Sequence, residues 1–473
     1  MGKNRAEVTC SLLLELNPDV QGAFDKSNFS SKLAGEASQY FSSFSLIIAS
    51  NLEESLLTKL SNVCDSLSLP LVSIRAYGSI GLCRLQLSEH EIIESKPTPD
   101  VPDLRIMQGF EELYEYCHSV DLESLSDMDH AHMPYIVILT KALQEWKKTN
   151  ANPPSNGEER AQFKQIVMGM VRYPHLIGTE DEEMNFTEAA NEIFQTFRRR
   201  DLPEFVFEER NLSAMKLTAF SVLVEALRIF HAESGGSVPL NGTIPDLTST
   251  TALFVKIQNV YQQRATKDRS RIREILQSLE TMTTDNPYPF PTISDELIDI
   301  FCKNVYNLRL LSTTTISSEI STLNLESISE AVMDTYEDAP QTPILWYLAL
   351  RAADRFYMKS NRYPGEVTED VERDAEAVWL ELQSIAEECS VGSKDPGELE
   401  EDGFVMPSVK NLLTKDHALE ITRFGASEIH NIAALIGGIA SQEVVKIITQ
   451  QYVPTNNTYV HNGIAGVGGS YEL

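Results

Sequence analysis

Apolar positions along the chain follow two rhythms, and the first belongs to an α/β domain. Phe44 to Ala49 (FSLIIA) is a short, nearly continuous apolar run suited to a buried parallel strand. Within Glu53 to Ser66, the side chains Leu56, Leu57, Leu60 and Val63 share one helical face, and Pro70 to Tyr77 (PLVSIRAY) reads as another strand. Strand, helix and strand in that order predict a βαβ crossover. Gly78 and Gly81 punctuate a turn into Leu82 to Leu87, whose alternation suits a more exposed strand, and Asn4 to Leu16 ahead of all this is helix-like.

From about residue 121 the period lengthens to that of helices. Ile136, Leu139, Leu143 and Trp146 fall on one face, as do Leu217, Phe220, Leu223, Val224, Leu227 and Phe230. Further helices are predicted over Phe254 to Leu279 and Ile344 to Met358, separated by breakers at Gly235-Gly236, Pro287 to Pro291 and Pro364-Gly365. No fixed-period repeat runs through the region, which excludes a solenoid. Lys394 to Gly403 reads as an acidic surface loop, and a second acidic run surrounds Glu180 to Glu183. The α/β texture then returns: Ser427 to Thr449 is amphipathic through Ile429, Ile432, Ile436, Ile439, Ala440 and Ile447, and Tyr459 to Asn462 reads as a final strand. The two ends are therefore expected to build one domain, with the helical middle inserted into it.

With 473 residues, 42% apolar and 23% charged, the chain has the composition of a folded protein of two or three domains. Its 39 basic and 69 acidic side chains leave a formal charge of -30, which disfavours nucleic acid and favours a basic protein as partner. No uninterrupted apolar run reaches the roughly 18 residues of a membrane span, and no leader pattern opens the chain. The expected location is the cytoplasm and nucleus. Six cysteines are scattered without a CxxC pair, so neither a disulfide framework nor a zinc ribbon is expected.

Candidate chemistry is sparse. Gly463 to Gly469 is glycine-rich, but only Ser470 to Leu473 follow it, so no helix N-terminus can face a phosphate there. Gly437-Gly438, inside a predicted helix, is expected to mark close helix packing. His130 and His132 lack metal-ligand spacing and read as solvent or cap contacts, with Asp129 capping a helix that begins near Pro134. Cys302 and Cys389 read as helix residues rather than nucleophiles, and Arg198-Arg199-Arg200 as the basic end of a helix.

A set of short segments, in order along nearly the whole chain, resembles the regulatory subunit of the heterodimeric neddylation-activating enzyme, in the ubiquitin-activating superfamily. They include Gly2 to Glu7 (GKNRAE), Arg75 to Gly78 (RAYG), His90 to Pro97 (HEIIESKP), Gly242 to Asp246 (GTIPD) and Lys256 to Tyr261 (KIQNVY). Leu350 to Phe356 (LRAADRF), Arg362 to Gly365 (RYPG), Arg423 to Ala426 (RFGA) and Ala434 to Thr449 (ALIGGIASQEVVKIIT) complete it. The resemblance implies an α/β, doubly wound adenylation-type (Rossmann-like) domain formed by residues 1–120 and 410–473, with 121–409 as a helical insert like a catalytic-cysteine domain without its cysteine. It further implies a non-catalytic subunit that binds no cofactor, the ATP, magnesium and thioester cysteine belonging to a catalytic partner that activates a modifier of the neddylation type. Asp246, Lys256, Gln258 and Asn259 match the segment that contacts that partner. The family begins with an additional strand, a degenerate nucleotide loop and an arginine-bearing leader, whereas Met1 here directly precedes GKNRAE, so a truncated chain lacking the first strand is expected. Two other readings stay open: a scaffold that uses a degenerate adenylation-like surface, and the equivalent subunit for a SUMO-type modifier.

Overall fold

A computed structural model of the chain describes every residue except Met1, Glu36, 98–101, Arg199, Asn211, 213–215, 334–340 and 391–407. The acidic stretch Lys394 to Gly403 and the middle of the arginine triplet thus lie outside the described residues. Two compact units emerge, one from residues 1–90, 310–449 and 453–473, the other from 91–309 and 450–452. The sequence reading puts these joints nearer 120 and 410.

The first unit is an α/β layer structure. Its five-stranded mixed sheet runs β1 (Ile47–Ser50), β2 (Leu71–Tyr77), β3 (Ile80–Gln86), β4 (Thr458–Asn462) and β5 (Val467–Tyr471) in spatial order. β1 and β2 are parallel and joined through the helix Glu54–Ser66, which is the expected crossover. The other neighbours are antiparallel. One face of the sheet packs Val72, Ala76, Cys83 and Leu85 against Ile432, Ile436, Ala440 and Ile447 of the helix His430–Thr449. On the other, Tyr77, Ile80, Leu82 and Val460 meet the helices Pro343–Ser360, Val371–Ser390 and Lys415–Phe424. Each leucine or isoleucine so buried contributes about 1.5–3 kcal/mol. β3, expected to be more exposed, is buried at every position, because helices cover both faces. The single terminal strand expected at Tyr459 to Asn462 is half of a hairpin, and the glycine-rich tail forms its second strand.

Several of the short segments interlock in this unit. The Arg75 guanidinium donates to Asp354 at 2.7 Å, and Arg351 to Glu54 at 3.1 Å. Tyr347 donates to Glu319 at 2.9 Å, and Arg84 lies 3.5 Å from the same carboxylate. Arg362 holds Asp374 with two bonds of 2.5 and 2.8 Å, while Gly365 N–H donates to that carboxylate at 2.9 Å. A Cβ on Gly78 would lie 2.3 Å from the Phe424 ring, and one on Gly365 (φ +76°) 1.8 Å from the Thr422 carbonyl oxygen. These glycines are where distant chain segments touch backbone to backbone.

The second unit is helical and has two cores. Tyr135–Trp146 is buried nearly all round and packs with Phe163, Phe186 and Ile193. Ala219–Glu233, opened by a capping box between Thr218 and Ser221, centres the other core with Phe301 and Leu308. The helix Thr251–Met282, about 48 Å long at 1.5 Å per residue, gives Ile257, Tyr261 and Ala265 to the first core and Ile272, Ile275 and Leu279 to the second. Two local expectations fail. Asp129 sits in the short helix Asp127–Ala131, bonded to Ser126, whereas the helix at Tyr135 has no side-chain cap. His130 is buried, 2.5 Å from Glu183 and stacked on Phe186, rather than solvated.

Candidate partner-binding surface

The residues carried by the resemblance lie where a loop enters the long helix. The loop is held from below: Asp268 accepts from Leu240 N–H at 3.0 Å and from Arg264 at 2.9 Å, and a Cβ on Gly242 (φ +79°) would lie 2.8 Å from the Ala265 methyl. Burial raises the Asp268 pKa against these stabilising donors. Thr248 N–H donates to Glu188 at 2.9 Å, and Thr250 caps the helix by accepting from Leu253 N–H. Thus the backbone leading into the helix is fixed, and its side chains are free to face outward.

Ile257, Tyr261 and Ala265 point into the core at helical spacing, so the opposite face carries Lys256 and Asn259, three residues apart and both exposed. Gln258 sits on the flank, half-buried, and Asp246 is exposed in the preceding loop. The structure therefore brings Lys256 and Asn259 onto one surface, with Gln258 beside them and Asp246 separate in the loop. Among the described residues neither Asp246 nor Lys256 has a salt-bridge partner, which leaves both charges to solvent or to another protein.

A second surface was not legible as one. The helix His430–Thr449 buries Ile432, Ile436, Ala440 and Ile447, yet Leu435, Val445 and Ile448 on its other side are 39%, 53% and 69% exposed. Gly437 and Gly438, expected to mark a close helix contact, have none among the described residues: a Cβ at either would meet nothing within 4 Å beyond the helix's own backbone. By length and composition this helix could span a bilayer, but Glu443 and Lys446 pair within it at 2.7 Å, and Glu443 also accepts from Thr455 N–H at 2.8 Å. The spacing of Leu435, Gly438, Val445 and Ile448 was the available sequence signal for this second face.

Five of the six thiols are buried. Burial pushes Cys64, Cys83 and Cys302 up to about 12, and Cys117 and Cys389 up to about 11. A nucleophilic cysteine needs the opposite shift. The glycine-rich tail leads into β5 and not into a helix. Among the described residues no cluster of three or more His, Cys, Asp or Glu is placed to hold a metal ion.

The geometry thus describes an α/β protein with ordered helix surfaces on display and five of its six thiols buried. No protein-family model matches the chain. It is 33% identical over 482 residues to the NEDD8-activating enzyme E1 regulatory subunit of Danio rerio, covering 100% of this chain and 85% of that protein. It is likewise 33% identical over 474 residues to the NEDD8-activating enzyme E1 regulatory subunit AXR1 of Arabidopsis thaliana, covering 98% and 82%, and 31% identical over 480 residues to the Drosophila melanogaster relative. The chain belongs to the family of NEDD8-activating enzyme E1 regulatory subunits.

Proposed function

We propose that the chain is the non-catalytic half of a heterodimer, and that it supports ATP-dependent adenylation and thioester formation carried out by a catalytic partner on a modifier of the neddylation type. The observation that carries this reading is the open apolar face of His430–Thr449, where Leu435, Val445 and Ile448 stand in solvent around an uncovered glycine pair. Such a face is stabilised when another protein covers it. In this reading Lys256 and Asn259, with Gln258 and Asp246 nearby, form a polar surface for the partner on the second unit.

The buried, proton-retaining thiols support placing the thioester cysteine on the partner, and the tail's strand geometry supports placing ATP and magnesium there too. The mixed sheet with its β1–helix–β2 crossover is compatible with a doubly wound adenylation-type domain. Cytoplasm and nucleus are the proposed locations, to be checked by imaging the tagged protein.

Reconstitution tests the whole. The chain alone should exchange no pyrophosphate with ATP, and mixing with the catalytic subunit should give modifier thioester on that subunit. Adenylate formed by the isolated chain would overturn the assignment, and tight partner binding without activity would favour a scaffold. Because Lys256 is exposed, Lys256→Glu should change the chain's own stability by less than about 0.5 kcal/mol while weakening its hold on the catalytic subunit.

A further inference from the structure

Within the helical unit an open groove of about 1150 Å³ runs beside the segment Pro102 to Gln108 and the end of the helix Met184–Thr196. It exceeds the roughly 300–1,000 Å³ of ordinary small-molecule pockets. Its walls carry Lys147, Arg160, Arg198 and Arg200 against the acidic Glu192 and Asp201, the further pair Arg105 and Asp103 being bound to each other at 2.9 Å. In a chain with 69 acidic and 39 basic side chains, such a local excess of cations reverses the prevailing sign. Among the described residues none of Lys147, Arg160 and Arg198 has a salt-bridge partner. The buried Nε of Arg160 makes no hydrogen bond at all, although buried donors are ordinarily satisfied.

The same groove exposes large rings. Phe194 is 59% and Phe207 50% exposed, the first lying 5.0 Å beneath the Arg160 guanidinium and the second packed edge-on against His231 at 5.3 Å. An arginine stacked on an aromatic ring keeps its in-plane donors for a carboxylate, and arginine and aromatic side chains carry most of the energy of peptide docking. We propose that this groove docks a short acidic peptide segment, bearing aromatic or other large apolar side chains, from a partner protein. The carboxylates would meet Arg160, Arg198 and Lys147, and the apolar side chains Phe194 and Phe207.

Fluorescence anisotropy on the full chain tests this with a labelled peptide of alternating Glu and Phe, against a control in which Lys replaces Glu. The Glu peptide should bind, more weakly as salt rises, and Arg198→Glu and Phe194→Ala should each weaken it by about tenfold or more. Both side chains are exposed, so an unchanged thermal melt identifies a folded variant. Equal affinity for the Lys peptide, or folded variants that bind as the parent does, would overturn the proposal. So would inorganic polyphosphate that binds more tightly than the peptide and displaces it, which would make the groove a phosphate site.

Discussion

Asp354→Ala leaves one guanidinium buried without its anion. Arg75 and Asp354 are 11% and 9% exposed at the side chain and meet at 2.7 Å, and the second amino group of Arg75 already lacks a partner. Burial alone would lower the Arg75 pKa; the Asp354 carboxylate outweighs it and raises it, so the cation persists and must be solvated by what remains. What remains is the faces of Tyr77 and Tyr363, 5.1 and 5.5 Å from the guanidinium carbon, worth about 1 kcal/mol each. Removing one partner of a buried pair costs about 3–5 kcal/mol, and the two rings place the expected loss near the lower end. Urea unfolding followed through Trp346 and Trp379, both in the first unit, measures it as a midpoint shift at constant slope. Combining Arg75→Met with Asp354→Leu removes both charges and should return stability to within about 1 kcal/mol of the parent or above it. A single substitution costing less than about 1 kcal/mol, or a double as damaging as the single, would refute this account of the pair.

Gly365→Ala should cost at least about 2 kcal/mol, read as a lower melting temperature, because the new methyl meets the Thr422 carbonyl and the residue stays at φ +76°. Glu54 supplies a pH dependence: burial, with Asp354 adding to it and Arg351 opposing, raises its pKa to about 7. Its contribution is therefore full below the unfolded value near 4.5 and is lost as pH rises through about 7, at most about 3 kcal/mol in all. Glu54→Gln should flatten the urea midpoint between pH 5 and 8, and a parent midpoint that instead rises over that range contradicts the sign. Of the six cysteines only Cys10 is not buried, so a native-state thiol assay should titrate one group quickly and the other five only on unfolding; several fast groups would mean the thiols are not shielded as described.

What could be read from the chain follows the range of the forces involved. β1, β2 and their crossover helix were legible because apolar runs of strand and helix period lie next to one another in sequence. β3 was misjudged because its polar positions suggested an exposed edge, yet Arg84 lies against Glu319 and Gln86 bonds Ser61, contacts set by packing 235 and 25 residues away. β5 was missed because Gly468 and Gly469 have poor strand propensity. They are tolerated because the Tyr459 and Tyr471 rings occupy the space that a Cβ on Gly468 and Gly469, respectively, would need. The segments RAYG, LRAADRF, RYPG and RFGA could be recognised as strings, but only the fold explains them: Arg75 pairs with Asp354, Gly78 lies under Phe424, and Gly365 abuts Thr422. They hold the first unit together.

The proposed partner surface was legible to a different degree. Lys256 and Asn259 face outward because the residues between and beyond them face inward, which period alone predicts. The apolar side of His430–Thr449 was hidden by its own composition. Isoleucine on both faces of the helix blurs the boundary between its buried and exposed sides, and Gly437-Gly438 looks the same whether its neighbour is in the chain or in a partner. Only the finding that, among the described residues, nothing beyond the helix's own nearby backbone would lie within 4 Å of a Cβ at either position separates the two cases. A close helix contact within the chain would have made these glycines part of the core; their emptiness makes the same residues an argument for assembly.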